Sequence, residues 1–323
     1  MVESVGVAPS FLALVGPTAS GKTSLSLSLA RRLDSEIISM DSRQIYRGMD
    51  VGTGKATRQE QDAVPHHGLD IRDPSERYSA GQFARDARNW IRQIKGRGRT
   101  PLLVGGTGFF LKALTHPMFS EPPLDRGQLE QLRSQLNRLS LEELRAWVQA
   151  LDPKLDHEPS QGGRHRLTRM VEVALLTGHT LSWWHERGDS PEEAVPGLVL
   201  VLEHPRELLY QRINTRVQRM VAEEGLVAEV RGLLEAGFSP DDPGMTGAGY
   251  RETVAYLQGS LSLEELVIEI QRSHRRYARR QVTWYRHQLP AEAHFLDATW
   301  PEGDLVERVL LLWSEGLPAQ GLH

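Results

Sequence analysis

The chain has 323 residues, 39% hydrophobic and 25% charged, with 38 basic against 42 acidic side chains and no cysteine. That length predicts a globular protein of about two domains, and the missing cysteine excludes disulfides, thiolate metal sites and a cysteine nucleophile. A formal net charge of -4 excludes an overall positive coat but leaves room for a local basic face.

Phe11 to Val15 is a short apolar run that ends in glycine, so it reads as a buried strand and not as a signal peptide. No apolar stretch approaches the roughly 18 residues of a membrane span, and the cytoplasm is the expected address. A helix is expected from Lys22 to Leu33 and a strand from Glu36 to Met40. A second helix starts at the capping box Ser79 to Gln82 and leads through Gly96, Gly98 and Pro101 to the strand Leu102 to Val104. Strands alternating with helices predict an α/β fold with a parallel sheet, whose ligands sit at the carboxyl ends of the strands.

After Leu114 the texture changes. Pro117, Pro122 and Pro123 precede leucine-rich helical segments from Gln128 to Ala150, with a capping box at Ser140 and Glu143, and from Arg164 to a stop at Gly178. Residues 116–196 therefore read as a helical insertion between the core segments 1–115 and 197–323. The strand Leu198 to Leu202 resumes the sheet, one long helix is expected over Glu207 to Ala236, and His294 to Leu296 reads as a last strand.

Gly16, Pro17, Thr18, Ala19, Ser20, Gly21, Lys22 and Thr23 form the eight-residue P-loop pattern in its required place, between a strand and a helix. Backbone N–H groups, the helix N-terminus and the Lys22 charge converge on one anion there, and the Thr23 hydroxyl suits Mg²⁺. Something with at least two phosphates is the expected ligand; which compound, and which bond breaks, stays open. Asp41, at the end of the next strand, is placed either as a general base beside the phosphates or as a cap of the following turn. Gly105 to Gly108 is a second close-approach loop, with Thr107 as a polar contact.

Gln271 to His287 holds six arginines, two histidines and no acid. At a helical turn of about 100° per residue, Arg272, Arg275, Arg276, Arg279, Arg280 and Arg286 fall within an arc of about 140°, with Tyr277, Trp284 and Tyr285 outside it. Such a face suits nucleic acid or plain solvent. Arg216, on the helix after the resumed strand, is either a phosphate clamp or a surface arginine. His66 and His67 are adjacent, which is not a metal-ligand spacing, and Trp183 and Trp184 read as packing.

Taken together, GPTASGKT, ISMDSRQIYRGMDVGTGK, LDIRDP, LLVGGTGFFLKAL, GAGYRE and RRYARRQVTWYR, in that order, resemble the bacterial tRNA dimethylallyltransferases, the isopentenyl transferases of tRNA. Gly54 and Ala56 stand where the family has an alanine and a proline, and GGRHRLTRMVEV departs from the family pattern in the insertion. The resemblance implies a P-loop NTPase-like core that binds dimethylallyl diphosphate with Mg²⁺, and transfer of the prenyl group to the exocyclic amine of the adenosine 3′ of the anticodon. It implies Asp41 and Thr18 as catalytic, Thr23 as metal-holding, and Arg216 on the diphosphate together with the P-loop. On the tRNA side it implies Asp41, Ser42, Arg43, Gln44, Thr107, His165, Arg166, Leu167, Thr168, Arg169, Thr246, Gly247, Ala248, Gly249, Tyr250, Arg251, Arg279, Arg280, Gln281, Trp284 and Arg286. A monomer is expected. A small-molecule kinase or an RNA-stimulated NTPase would share the P-loop without the prenyl chemistry.

Overall fold

The computed structural model describes residues 8–116, 124–153, 163–187 and 194–316. Pro117, Pro122 and Pro123 lie outside them. The chain divides into two compact units, Met1–Thr115 with Val195–His323, and His116–Ala194.

In the larger unit, six strands form one parallel sheet in the order β3-β2-β4-β1-β5-β6. They are β1 (Phe11–Val15), β2 (Ser35–Ser39), β3 (His66–His67), β4 (Thr100–Gly105), β5 (Gly197–Glu203) and β6 (His294–Asp297). Every residue of β1 is buried, as the continuous apolar run Phe-Leu-Ala-Leu-Val requires of a strand covered on both faces. On one face Leu12 and Leu14 pack with Leu25 and Leu29 of α1 (Lys22–Arg32) and with Val309 and Leu312 of α13 (Glu302–Gly316). Three further helices come before residue 116. They are α2 (Arg58–Ala63), α3 (Ala80–Gly96), which opens at the Ser79–Gln82 capping box, and α4 (Gly108–Thr115).

The expected single helix over 207–236 is instead two, α9 (Arg206–Ala222) and α10 (Leu226–Glu235). Gly225 between them has a φ of 84°, a left-handed conformation at the N-cap of α10. After α11 (Tyr250–Leu257), the basic helix proves longer than its arginine-rich part: α12 covers Leu263–Gln288, opens at a Ser262–Glu265 capping box, and packs Ile270 and Ala278 among Ile213 and Val217 of α9.

The smaller unit is helical among its described residues. It contains α5 (Arg126–Leu136), α6 (Leu141–Leu151), α7 (Arg164–Thr177) and α8 (Leu181–Arg187). Leu136, Leu144, Val148, Leu167 and Val171 form its core, and the buried Glu172 is held by Arg133 at 2.5 Å and Arg169 at 3.1 Å.

Gly105 marks how closely the strand ends approach. A Cβ there would stand 2.0 Å from the Met40 carbonyl oxygen, which belongs to rigid backbone. Gly105→Ala is expected to destabilise the protein by about 1–3 kcal/mol, read as a lower urea midpoint; an unchanged midpoint would contradict that approach.

Candidate active site

The P-loop leaves the carboxyl end of the central strand. Two of its residues take left-handed conformations, Ala19 at φ 64° and Gly21 at φ 92°, so that the backbone curls over the start of α1. Gly21 caps α1 without a side-chain hydrogen bond, which leaves the first-turn N–H groups for an anion. Lys22 folds back on the curl, and its Nζ donates to the carbonyls of Gly16 at 2.9 Å and Pro17 at 2.7 Å.

The basic helix braces this cradle from above. The Gln281 amide accepts from the Thr18 N–H at 2.9 Å and donates to the Gly106 carbonyl at 2.9 Å, and the Tyr285 hydroxyl donates to the same carbonyl at 3.0 Å. Gly106 has to be glycine for this, because a Cβ would come within 2.2 Å of Gln281 Nε2. Thr18 therefore offers its side chain, not its N–H, to a ligand.

Asp41 follows β2 and lines the same cleft, a cavity of about 800 Å³ that holds the P-loop, Thr53, Gly54, Arg216, Thr246 to Ala248, His274 and Tyr277. One carboxylate oxygen accepts from the Arg43 N–H at 2.8 Å, so the turn-capping role and the cleft position coexist. The Ser42 N–H donates to Thr107 Oγ1 at 3.0 Å, and Thr107 also bonds the Tyr277 hydroxyl. Burial and the Asp41 charge raise the Tyr277 pKa, which keeps it a neutral phenol.

Three cations surround the cradle. Burial pulls the Lys22 ammonium down to about 7; Asp41 raises it and Arg216 lowers it further. Burial also lowers the Arg216 pKa, while its Nη2 donates to the Thr53 carbonyl at 3.4 Å. Arg212, which with Arg206 and Arg219 belongs to the same arginine series as Arg216 and offers a second candidate clamp, donates from Nε to the Ala19 carbonyl at 2.8 Å. His274 is a cleft residue that sequence reasoning missed: burial pulls it down to about 4, and its buried Nε2 has no partner among the described residues. The readable signal for Tyr277, Gln281 and Tyr285 was their i, i+4, i+8 spacing, which sets one stripe of the basic helix toward the cradle.

Of the residues expected on the RNA side, several are buried or engaged within the fold, and among these Arg43, Gln44, Tyr250 and Gln281 also line the cleft. Gln281 is 5% exposed, Tyr250 is 1% exposed with its hydroxyl on Glu229, and Leu167 belongs to the core of the helical unit. The Gln44 amide accepts from Ser39 at 2.8 Å and donates to the Gly54 carbonyl at 3.1 Å, so it braces a loop. Trp284 packs over Gly108, where a Cβ would meet its ring at 2.2 Å. Arg43 is tied to the Pro243 carbonyl. The backbone of His165 lies in α7, but its side chain is outside the described atoms. Arg166, Thr246, Arg251, Arg279, Arg280 and Arg286 are exposed, and Ser42, Thr107, Thr168, Arg169, Gly247 and Ala248 are at least partly accessible or line the cleft. Gly249, at φ 94°, turns the chain into α11.

Acids outside the Gln271 to His287 run neutralise part of its face: Glu269 pairs with Arg272 at 2.5 Å and Glu203 with Arg286 at 3.2 Å. Arg280 is exposed and lines the cleft, and Arg279 is exposed beside it on the same helix. If they meet phosphates, Arg279→Ala and Arg280→Ala should each weaken RNA binding and shallow its salt dependence by up to about one unit of slope. Filter binding over a salt series measures this, and an unchanged slope would place the RNA elsewhere.

For a divalent cation, no cluster of three or more His, Cys, Asp or Glu exists among the described residues. The exposed Thr23 at the start of α1 fits a hard cation bound chiefly through phosphate oxygens, with little protein ligation.

The family description "IPP transferase" matches residues 44–288, and "Isopentenyl transferase" matches residues 9–75. The tRNA dimethylallyltransferase 1 of Pelobacter propionicus is 45% identical over 282 residues, 86% of this chain and 89% of its own length. Among solved structures, the tRNA isopentenylpyrophosphate transferase of Bacillus halodurans aligns at 36% identity with a TM-score of 0.68, covering 95% of this chain and 97% of that one. A eukaryotic dimethylallyltransferase acting on tRNA aligns at 26% identity with a TM-score of 0.78, over 96% of this chain and 81% of its own.

Proposed function

Because the chain belongs to the IPP transferase family, as a tRNA dimethylallyltransferase, we propose that its cleft is a P-loop NTPase-like phosphate cradle turned to prenyl transfer. The donor is dimethylallyl diphosphate and the acceptor is the exocyclic amine of the adenosine 3′ of the anticodon in tRNA. The amine nitrogen attacks the first carbon of the prenyl group, the C–O bond to the diphosphate breaks, and the amine proton passes to Asp41. The products are N6-dimethylallyladenosine and diphosphate.

The observation that carries this reading is the convergence of opposite needs in one cleft. An amine whose lone pair is delocalised into a purine is a weak nucleophile and needs an acceptor for its N–H, which Asp41 supplies. A leaving diphosphate gathers negative charge, and Lys22 and Arg216 stand beside Asp41 closely enough to perturb one another electrostatically. Thr18, at the cradle rim, orients the amine. Mg²⁺ held by Thr23 and phosphate oxygens would add charge neutralisation on the leaving group.

A base inside a stacked loop does not reach this cleft, so the adenosine has to be extruded, at a cost of a few kcal/mol. RNA of this kind is selected by loop shape and unstacked bases, because the A-form major groove is too narrow to read. The insertion 116–196 and the exposed arginines of α12 supply the grip. The site of action is the cytoplasm, in keeping with a chain in which no described helix is long and apolar enough to cross a membrane.

Incubation with radiolabelled dimethylallyl diphosphate, Mg²⁺ and unmodified tRNA should place label in a single nucleoside of the anticodon loop. Phosphorylation of a small substrate from ATP, without label in RNA, would overturn the reading.

A further inference from the structure

Glu229 lies on α10, outside the cradle, and its carboxylate is completely engaged in an unusual way. Oε2 accepts from the Asp50 N–H at 2.8 Å and the Val51 N–H at 2.7 Å, while Oε1 accepts from the Gly52 N–H at 3.2 Å and the Tyr250 hydroxyl at 2.5 Å. Charge-assisted bonds to consecutive backbone N–H groups fix the shape of a turn more tightly than neutral ones do.

The turn so held, residues 50–54, is where Arg216 rests. Arg216 Nη2 donates to the Thr53 carbonyl at 3.4 Å, and a Cβ on Gly54 would stand 1.7 Å from that same nitrogen. Gly54 has a φ of 59°, and the glycine that stands here in place of the family's alanine leaves room for the guanidinium tip. Gln44 holds the turn from its other side through the Gly54 carbonyl at 3.1 Å. Gly52 presses onto Tyr250, where a Cβ would meet the ring at 2.5 Å. One carboxylate thus fixes both the turn and the aromatic ring beneath it.

We propose that Glu229 is a positioning residue: it holds the 50–54 turn as the seat of the Arg216 guanidinium, and so sets where that charge stands relative to the phosphate cradle. The proposal rests on the reading of Arg216 as the clamp of the leaving diphosphate. A displaced guanidinium keeps its charge but loses its aim, and misplacement by about 1 Å costs up to about a hundredfold in rate.

The test is a double-mutant cycle in the full-length protein with steady-state prenyl transfer to tRNA, using Glu229→Gln, Arg216→Ala and the two combined. Glu229→Gln should lower kcat about tenfold and weaken inhibition by inorganic diphosphate to a similar extent, with tRNA affinity unchanged. In the Arg216→Ala background the same substitution should change neither quantity. An equal loss with and without Arg216 would mean that Glu229 only supports the fold, and would overturn the proposal. Arg216→Ala with normal kcat and normal diphosphate inhibition would overturn the clamp reading, and the proposal with it. Should Glu229→Gln fail to fold, Gly52→Ala, whose Cβ would meet the Tyr250 ring at 2.5 Å, disturbs the same turn and takes its place in the cycle, with the same outcomes deciding.

Discussion

Asp41→Ala is expected to lower kcat by about 10²- to 10⁴-fold while tRNA affinity stays within about twofold, the profile of a lost general base. The carboxylate is held by the Arg43 N–H on one oxygen, which fixes its direction without using its whole capacity to accept. Asparagine at the same position keeps an oxygen for Arg43 but takes up no proton. Asp41→Asn should therefore retain RNA binding and local order, and lose nearly as much rate as alanine. The comparison separates proton acceptance from turn capping, since a residue that only capped the turn would tolerate asparagine. Single-turnover rates with bound tRNA give the chemical step directly, and wild-type rates in both variants would remove Asp41 from the mechanism.

The cradle was legible because it is local. A buried strand, eight residues of fixed pattern and a helix start lie within thirteen residues of one another. What braces the cradle was not legible, because it comes from far along the chain. Gln281 reaches Thr18 across a sequence separation of 263, and no local pattern distinguishes a glutamine inside an arginine-rich helix as a buried strut. The same limit explains Leu167: α7 turns about 100° per residue, so five consecutive residues on it do not share one face, and Leu167 takes the core side.

The break at Gly225 shows a different failure. The residues on both sides favour helix, so the 207–236 stretch reads as continuous, yet the first helix stops at Ala222 and a left-handed glycine caps a second one. Glu229 on this second helix accepts from the Asp50, Val51 and Gly52 N–H groups. The charge balance of the basic helix was also misjudged locally, because Glu203 and Glu269 lie outside the window in which no acid occurs.

Lys22→Ala should lower kcat by about 10²- to 10³-fold, the range seen when one preorganised charge is removed from a developing anion. A second signature distinguishes Lys22 from a lysine that merely packs. In the ligand-free cleft burial holds its pKa at about 7, so at pH 8 most molecules carry it neutral. A bound diphosphate favours the ammonium and raises that pKa, so binding at pH 8 draws a proton from solution. Proton uptake on binding means that affinity falls as pH rises above about 7, by up to about tenfold per unit, until the pKa of the bound state is passed. Below about 7 the lysine is already charged and this dependence fades. Calorimetric titration of the wild-type protein with dimethylallyl diphosphate, in two buffers of different ionisation enthalpy at pH 8, should reveal uptake approaching one proton. Lys22→Ala should bind weakly and take up none. A wild-type protein that binds the donor at pH 8 with no proton uptake would show that the lysine is charged before the ligand arrives, and the desolvated cradle described above would have to be abandoned.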